Sequence, residues 1–424
     1  MKNLTVVLAL FAMAFITQAQ PQQGQEPKLK VFIDCSSTWC DMQFVRTEIN
    51  VVDFMLDRLA ADVHVLVTSL QNGSGGRQYQ LIFYGQNKFK NLRDTLSFTF
   101  PPVSTDFEQR DGLVKYLKMG LAPLVAKTSQ AASVSINMKA PENIASASPT
   151  ATRDPWNYWV FRFGLNGQVS MDKVYKSNNF NENFRINRIT DQLKVQFAFN
   201  AGQNYSSFEY DTDTGPIKVE VKNENYSFNH LLVRSINPHW SYGYETGWLN
   251  NTFRNYRSSF FFLPQLEYSV FPYSDVNTKY ITFRYGVGVQ DNRYYETTLY
   301  GVTEEMLGWH SAQANISFNQ KWGTINSGLI YRNFFHDWKI NNLSLSTQLD
   351  VRLTGNLTVY AYLFGSIVHD QIYLPSGGAT EAEVLSRRRQ LESSYNFNAW
   401  FGLSYRFGSR LNNFINPRFN SFSD

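Results

Sequence analysis

The feature that most constrains this chain is a two-residue alternation that recurs about twelve times between residues 156 and 409. In its last occurrence the odd positions are Tyr395, Phe397, Ala399, Phe401, Leu403, Tyr405 and Phe407. The even positions are Asn396, Asn398, Trp400, Gly402, Ser404 and Arg406. A strand sends successive side chains to opposite faces, so this stretch has one apolar face and one mostly polar face. The same pattern sets Leu343, Leu345, Leu349, Val351 and Leu353 against Ser344, Ser346, Gln348, Asp350 and Arg352. It also sets Ile281, Phe283, Tyr285 and Val287 against Thr282, Arg284, Gly286 and Gly288. A soluble sandwich would have to hide one face of every such strand in a second sheet.

Three further observations favour lipid as the solvent of the apolar face. Met1 to Ala19 has a basic start at Lys2, an apolar core from Leu4 to Ile16 and a small-residue site at Thr17-Gln18-Ala19, the pattern of a cleaved signal peptide. After Ile16 no stretch reaches the roughly 20 apolar residues of a helical span. Aromatic residues make up 16% of the chain and charged residues 17%, at a mean hydropathy of −0.34, which suits a barrel with aromatic girdles. Open sheet edges are not tolerated in hydrocarbon, so the strands are expected to close.

Residues 28–128 change character. Leu29 to Asp34 reads as a strand. Val45, Ile49, Val52, Leu56 and Leu59 step at helical spacing, and Asp62 to Leu70 reads as a strand buried on both faces. Asn72 to Gly76 is a hairpin turn rather than a phosphate loop, because it joins two strands. Gln78 to Tyr84 and Asp94 to Phe100 are the next strands, and Thr105-x-x-Glu108 is a capping box that opens a helix through Leu113, Leu117, Leu121 and Leu124. The expected fold class is an α+β periplasmic domain followed by an all-β antiparallel transmembrane barrel of about twelve strands. The expected division is a signal peptide at 1–19, the α+β domain at 28–128, a linker at 129–155, the barrel at 156–409 and a C-terminal periplasmic tail at 410–424. Connections near 191–192, 237–239, 274–278, 322–323 and 354–356 read as short. Those near 172–181, 209–216, 250–257, 293–306 and 372–393 read as long. Short turns belong to the periplasm, which puts the α+β domain there too.

Cys35 and Cys40 are the two cysteines. Secretion favours a local disulfide over free thiols, and a redox or zinc role lacks the spacing or the extra ligands. The polar face, read as the lumen, carries Arg162, Lys194, Arg284, Arg332, Asp350, Arg352 and Arg406, together with Glu267. Excess positive charge there favours anions, while side chains paired across a barrel of this size would plug it. His239 and Ser241 share a strand face, but neighbours at i and i+2 are too far apart for a nucleophile and its base. His369, Asp370, Glu381 and Glu383 fall short of a metal site, with the last two in a loop read as a short helix. His310 reads as a loop or girdle residue and His64 as a satisfied core residue. No cofactor is indicated, and a net charge of +4 with no basic cluster argues against nucleic acid.

Two local patterns carry a resemblance. Asn187-Arg188-Ile189-Thr190 followed by Leu193, and Tyr405-Arg406-Phe407-Gly408-Ser409 followed by Asn416-Pro417-Arg418-Phe419, resemble the YdiY-type family of salt-induced outer-membrane proteins. The resemblance spans 156–419 and implies an outer-membrane barrel without a settled activity. The N-terminal domain is similar to the periplasmic α+β modules at the front of TolB- and CsgG-type proteins. Gly402 with Leu403, Tyr405 and Phe407 is similar to the insertion signal read by the barrel-assembly machinery. The expected function is a non-enzymatic envelope or interaction component. A narrow anion-preferring channel is the alternative, and a lipid-modifying barrel enzyme is more distant. Expected partners are outer-membrane lipid, the barrel-assembly machinery during insertion and a periplasmic protein.

Overall fold

The computed structural model describes residues 28–73, 75–135, 154–212, 215–377 and 393–408. The signal segment 1–19, linker residues 136–153, Glu381 and Glu383 with their loop helix, and the tail 410–424 lie outside the described residues.

Residues 28–135 form a five-stranded mixed sheet with helices on one face. The strands are β1 (Leu29–Asp34), β2 (Val52–Phe54), β3 (Val63–Gln71), β4 (Arg77–Gly85) and β5 (Arg93–Phe100), in the order β2-β1-β3-β4-β5. β1 runs parallel to β2 and β3, while β3, β4 and β5 form antiparallel hairpins. Helix α1 (Met42–Glu48) starts at Asp41, whose side chain accepts from the Phe44 amide. Helix α2 (Asp106–Val125) starts at the complete Thr105–Glu108 capping box. Leu113, Leu117, Leu121 and Leu124 of α2 are buried against Val31, Val63, Val65 and Leu81. Burial of each such side chain is worth about 1.5–3 kcal/mol relative to exposure.

The first helix is shorter than its spacing predicts. It stops at Glu48, and Val52 instead opens a parallel strand against Leu29. The apolar steps from Val52 onward satisfy a strand on the sheet edge equally well, because a short run does not separate the two periods.

Residues 159–405 form a single antiparallel meander of twelve strands: β6 (Trp159–Met171), β7 (Tyr175–Ile189), β8 (Leu193–Thr212), β9 (Gly215–Ser235), β10 (Trp240–Asn251), β11 (Tyr256–Ser269), β12 (Lys279–Tyr294), β13 (Glu304–Gln320), β14 (Gly323–Phe334), β15 (Asn341–Arg352), β16 (Leu357–Val368) and β17 (Tyr395–Tyr405). Each strand pairs with its sequence neighbours. Among the described residues β6 and β17 are not paired with each other, so this is an open sheet and the expected closure is not part of it. The sheet is curled nonetheless, since residues from β9 to β16 line one cavity on its concave side.

Its polarity is inverted relative to a soluble protein. On β12, Phe283 is 51% exposed and Val287 45%, whereas Thr282 is 6% exposed and Gln290 7%. The convex face also exposes Phe163, Phe260, Leu345, Phe397 and Leu403. Among the described residues no helix is long and apolar enough to cross a membrane, which says nothing of strands.

The loop rhythm is weaker than expected. The chain is already in strand at Tyr175, so the predicted loop at 172–181 shrinks to 172–174, and β8 and β9 pair as far as Thr212 and Gly215. Asn178, Asn179, Asn181 and Glu182 hide the extension of β7, because a backbone ladder forms whether or not its side chains alternate. What distinguishes the two ends of the sheet is the α+β unit, which sits on the turns following β7, β13 and β15.

Candidate functional site

The face of the small sheet opposite its helices carries Phe32, Asp34 and His64. In the parallel β1–β3 ladder Phe32 pairs with His64 and Asp34 with Leu66. Asp34 and His64 are each 1% exposed. Arg352, the last residue of β15, reaches into this face. Its Nη2 donates to Asp34 Oδ1 at 2.6 Å and its Nη1 donates to Asp34 Oδ2. His64 Nε2 donates to Oδ2 at 3.1 Å, and the Ser36 hydroxyl donates to Oδ1 at 2.8 Å. The Arg352 guanidinium also lies 5.5 Å from the Phe32 ring centre. A carboxylate that receives a two-pronged arginine and further donors is a well-satisfied buried charge. Burial by itself would raise the Asp34 carboxyl, but the hydrogen bonds from His64 and Arg352 and their charges hold it well below the ordinary carboxylate value. Burial, helped by the Arg352 and Lys321 charges, keeps His64 below the ordinary histidine value against the opposing pull of Asp34.

Other contacts surround this pair. Arg58 Nη1 donates to the Lys321 carbonyl at 2.6 Å, and Lys321 Nζ stands 3.8 Å from the Tyr84 ring centre. The hairpin between β3 and β4 approaches the other end of the meander. A Cβ on Gly73 would fall 2.6 Å from Ile189 Cβ, and one on Gly75, whose φ is +83°, would fall 1.4 Å from Arg162 Nη2. The α+β unit therefore touches β6 and β7 at one side and the ends of β15 and β17 at the other, bridging the first and last strands.

The residues read as lumen separate into three groups. Arg162, Asp350, Arg352 and Arg406 gather at the junction, the last three on a pocket of about 310 Å³ between the two units. Lys194 and Arg284 share a cavity of about 720 Å³ with Glu267. Glu267 and Arg284 are opposite each other in the β11–β12 ladder and are ion-paired at 2.7 Å, and Tyr273 donates to Glu267 at 2.9 Å. Arg332 lies apart, toward the other end, in a cavity of about 650 Å³. It donates to Gln290 Oε1 at 2.7 Å and stacks over Trp309. There the segment after β16 folds inward, burying Ile372 and Leu374, with Asn255 donating to the Tyr373 carbonyl.

The remaining candidates stay apart. His239 Nδ1 donates to the Ser269 carbonyl, whereas the Ser241 hydroxyl faces Tyr273. Asp370 accepts from Asn342, and among the described residues no three His, Cys, Asp or Glu side chains could hold a metal. His310 sits among Tyr285, Tyr331, Phe335 and Trp338. Cys35 and Cys40 are joined by a disulfide in the loop that follows Asp34.

Asp34, Arg58 and Lys321 were not singled out by the sequence. A signal for them exists: β3 is apolar on both faces, and α1 and α2 cover only one of them. No family model matches the chain, and no curated protein matches it significantly. Among solved structures, one described as a NanC porin in a rhombohedral crystal form aligns with 58% of this chain and 99% of its own, at 12% identity and a TM-score of 0.26. A likeness at that level carries no inference about function, and neither the YdiY-type nor the TolB- and CsgG-type resemblance gains support from these comparisons.

Proposed function

We propose that this chain is a non-enzymatic outer-membrane β-barrel protein, an envelope and interaction component whose α+β unit lies in the periplasm. The observation that supports this reading is the inverted polarity of the large sheet, with apolar side chains exposed on its convex face and polar ones gathered on its concave face. An exposed apolar surface of this extent is a liability in water and an asset in lipid. In hydrocarbon the unpaired groups of β6 and β17 are costly, so the reading requires those two strands to pair once inserted. Its partners are outer-membrane lipid, the barrel-assembly machinery during insertion and a periplasmic protein that docks on the α+β unit. Fractionation of cells producing the chain tests it. Recovery in detergent-extracted outer membrane, with heat-modifiable migration on gels, is expected. A mature chain that stays dissolved without detergent overturns it.

A narrow anion-preferring channel is the second reading. Lys194 favours it, because the Glu267 carboxylate in its cavity is already engaged by Arg284 and Tyr273. The α+β unit over one end and the inward segment at 371–374 favour an obstructed interior over an open one. Step currents in planar bilayers, with a reversal potential shifted toward that of the anion, would favour the channel.

A further inference from the structure

The concave face of the sheet is polar over most of its extent, and near its last strands it also carries exposed aromatic rings. Asn326, Gln348, Tyr362 and Trp400 are partners in one rung that crosses β14, β15, β16 and β17. The neighbouring rung is Gly328, Ser346, Phe364 and Asn398. Both have the parity of the concave face, because Asn315, the partner of Gly328, donates to the buried Thr282 at 3.2 Å. Together with Asn315 and Tyr280 they wall a cavity of about 540 Å³. Ile316, Ser327, Thr347, Leu363 and Ala399 on the same wall alternate with them and have the convex parity. The Trp400 ring lies 5.2 Å from that of Tyr362 and 5.3 Å from that of Tyr360. Trp400 is 63% exposed and Tyr362 43%, although both face inward. Gly328 leaves a gap between its neighbours, where a Cβ would sit 3.3 Å from Asn315 Oδ1 and 3.4 Å from Ser346 Oγ. Among the described residues this wall carries no charged side chain. Asp350, at the next inward position of β15, lies off the wall and pairs with Tyr360. The cavities of about 720 and 650 Å³ differ, each holding two acidic and two basic side chains.

Wetted aromatic faces are unfavourable, and on the concave side they do not serve the lipid contact that convex aromatics serve. They suit a ligand with apolar surface of its own. The same ligand meets amides and hydroxyls, which both donate and accept, so its polar groups must do both as well. A charged ligand would give up its water here without gaining a charged partner. A sugar ring has the required combination, with hydroxyls around its rim and a patch of C–H on its face. We propose that this cavity binds an uncharged saccharide, with one ring stacked on Trp400 and Tyr362 and its hydroxyls held by Asn326, Gln348, Ser346 and Asn398. Asn326 Oδ1 already accepts from Ser317 at 2.6 Å, which leaves its amide N–H groups to donate. Gln348 gives its amide to the Tyr362 hydroxyl at 3.4 Å, a long bond that a ligand hydroxyl replaces at little cost. The inference goes beyond the envelope reading and needs only the concave face.

The test uses the full mature chain folded in an amine-oxide detergent, which carries no sugar headgroup. Maltohexaose and chitohexaose, both neutral, and hexagalacturonate, an acidic chain of the same length, are titrated in by calorimetry. Saturable binding of at least one neutral oligosaccharide is expected, about tenfold or more tighter than that of the acidic one. Trp400→Ala and Tyr362→Ala are each expected to weaken it about tenfold or more, whereas Trp400→Phe, which keeps a ring, stays within about threefold of the parent. Gly328→Leu leaves the rings in place and fills the gap, and is expected to abolish binding. Tyr395→Ala, on the convex face of β17, is expected to leave binding unchanged. Heat-modifiable migration establishes that each variant is folded before it is titrated. Binding of hexagalacturonate as tight as that of the neutral chains overturns the proposal. So does binding retained in folded Trp400→Ala, or no saturable binding of either neutral oligosaccharide by the folded parent chain. These outcomes do not depend on membrane fractionation, so failure here leaves the envelope reading intact, and the reverse also holds.

Discussion

Arg352 at the end of β15 grips Asp34 at the end of β1 with both Nη groups, across 318 positions of sequence. The contact joins the last third of the meander to the first strand of the chain. Asp34 is fully buried and Arg352 nearly so, with its side chain 14% exposed.

Removing one partner of this pair leaves the other charged and desolvated. Arg352→Met or Asp34→Asn is expected to weaken docking of the α+β unit by about 3–5 kcal/mol. The double variant Arg352→Met with Asp34→Asn is expected to lose less than the sum of the two, because neither charge is then stranded. Denaturant midpoints of the four proteins, followed by near-ultraviolet signal from the α+β unit, measure this. Additive losses would show that the two residues act independently.

Acid is expected to loosen the junction in two steps. His64 titrates below its ordinary 6.5 when folded, so as pH falls through 6.5 the unfolded chain gains a proton that the folded one resists, and stability declines. Asp34 is also held below its ordinary 3.8, so its contribution is complete above that value and is lost as pH falls beneath it. The His64→Gln variant should lose the first step and keep the second. Thermal midpoints at about pH 8, 6, 5, 3.5 and 2.5, the last two beneath the ordinary value of Asp34, decide the matter. A flat profile between pH 8 and 5 would contradict the first step.

The hairpin glycines are close-approach positions. Gly73→Val places its side chain on Ile189, where both partners are held by backbone, and should cost about 1–3 kcal/mol of docking stability. Gly75→Ala adds the strain of a positive φ and a clash with Arg162. Increased protease cleavage between the two units, with unchanged strand content by circular dichroism, is the expected result for both. Unchanged cleavage would show that the hairpin does not bear on the sheet.

The inverted sheet makes a directional prediction. Val287→Arg on the convex face should cost about 2–4 kcal/mol of folding stability in vesicles if that position lies near the bilayer midplane. Glu304, exposed at the first position of β13, should tolerate Gln with little change. Folding yield into lipid vesicles, scored by heat-modifiable migration, compares them. If Val287→Arg folds as well as the parent chain while gaining solubility in water, the convex face is not a lipid surface.

The sequence makes some parts of this protein legible and leaves others hidden, for identifiable reasons. Strands β17, Tyr395–Tyr405, and β15, Asn341–Arg352, are visible because apolar and polar residues alternate along most of their length. The start of β7 is hidden because its two faces are both polar there. The end of α1 is hidden because Val52 fits a helix face and an edge strand alike. The capping box at Thr105 is visible because its hydrogen bonds run between residues three apart. Arg352 and Arg406 are legible as inward polar residues. Their grouping with Arg46 and Arg58 around the junction pocket is not, since nothing periodic links a helix near residue 46 to turns beyond residue 350.

What the sequence determined by itself is local: which stretches are strands, which side of each is apolar, where helices begin, and that β3 is apolar on both faces. Backbone geometry repeats every two residues in a strand, so these properties are written in adjacent positions. What the tertiary structure decided is which ends meet. It set the α+β unit across β6, β7, β15 and β17, buried Asp34 beneath Arg352, and left β6 and β17 unpaired with each other. Docking depends on where the curled sheet carries its turns in space, and a charge finds its partner by proximity in three dimensions rather than by spacing along the chain.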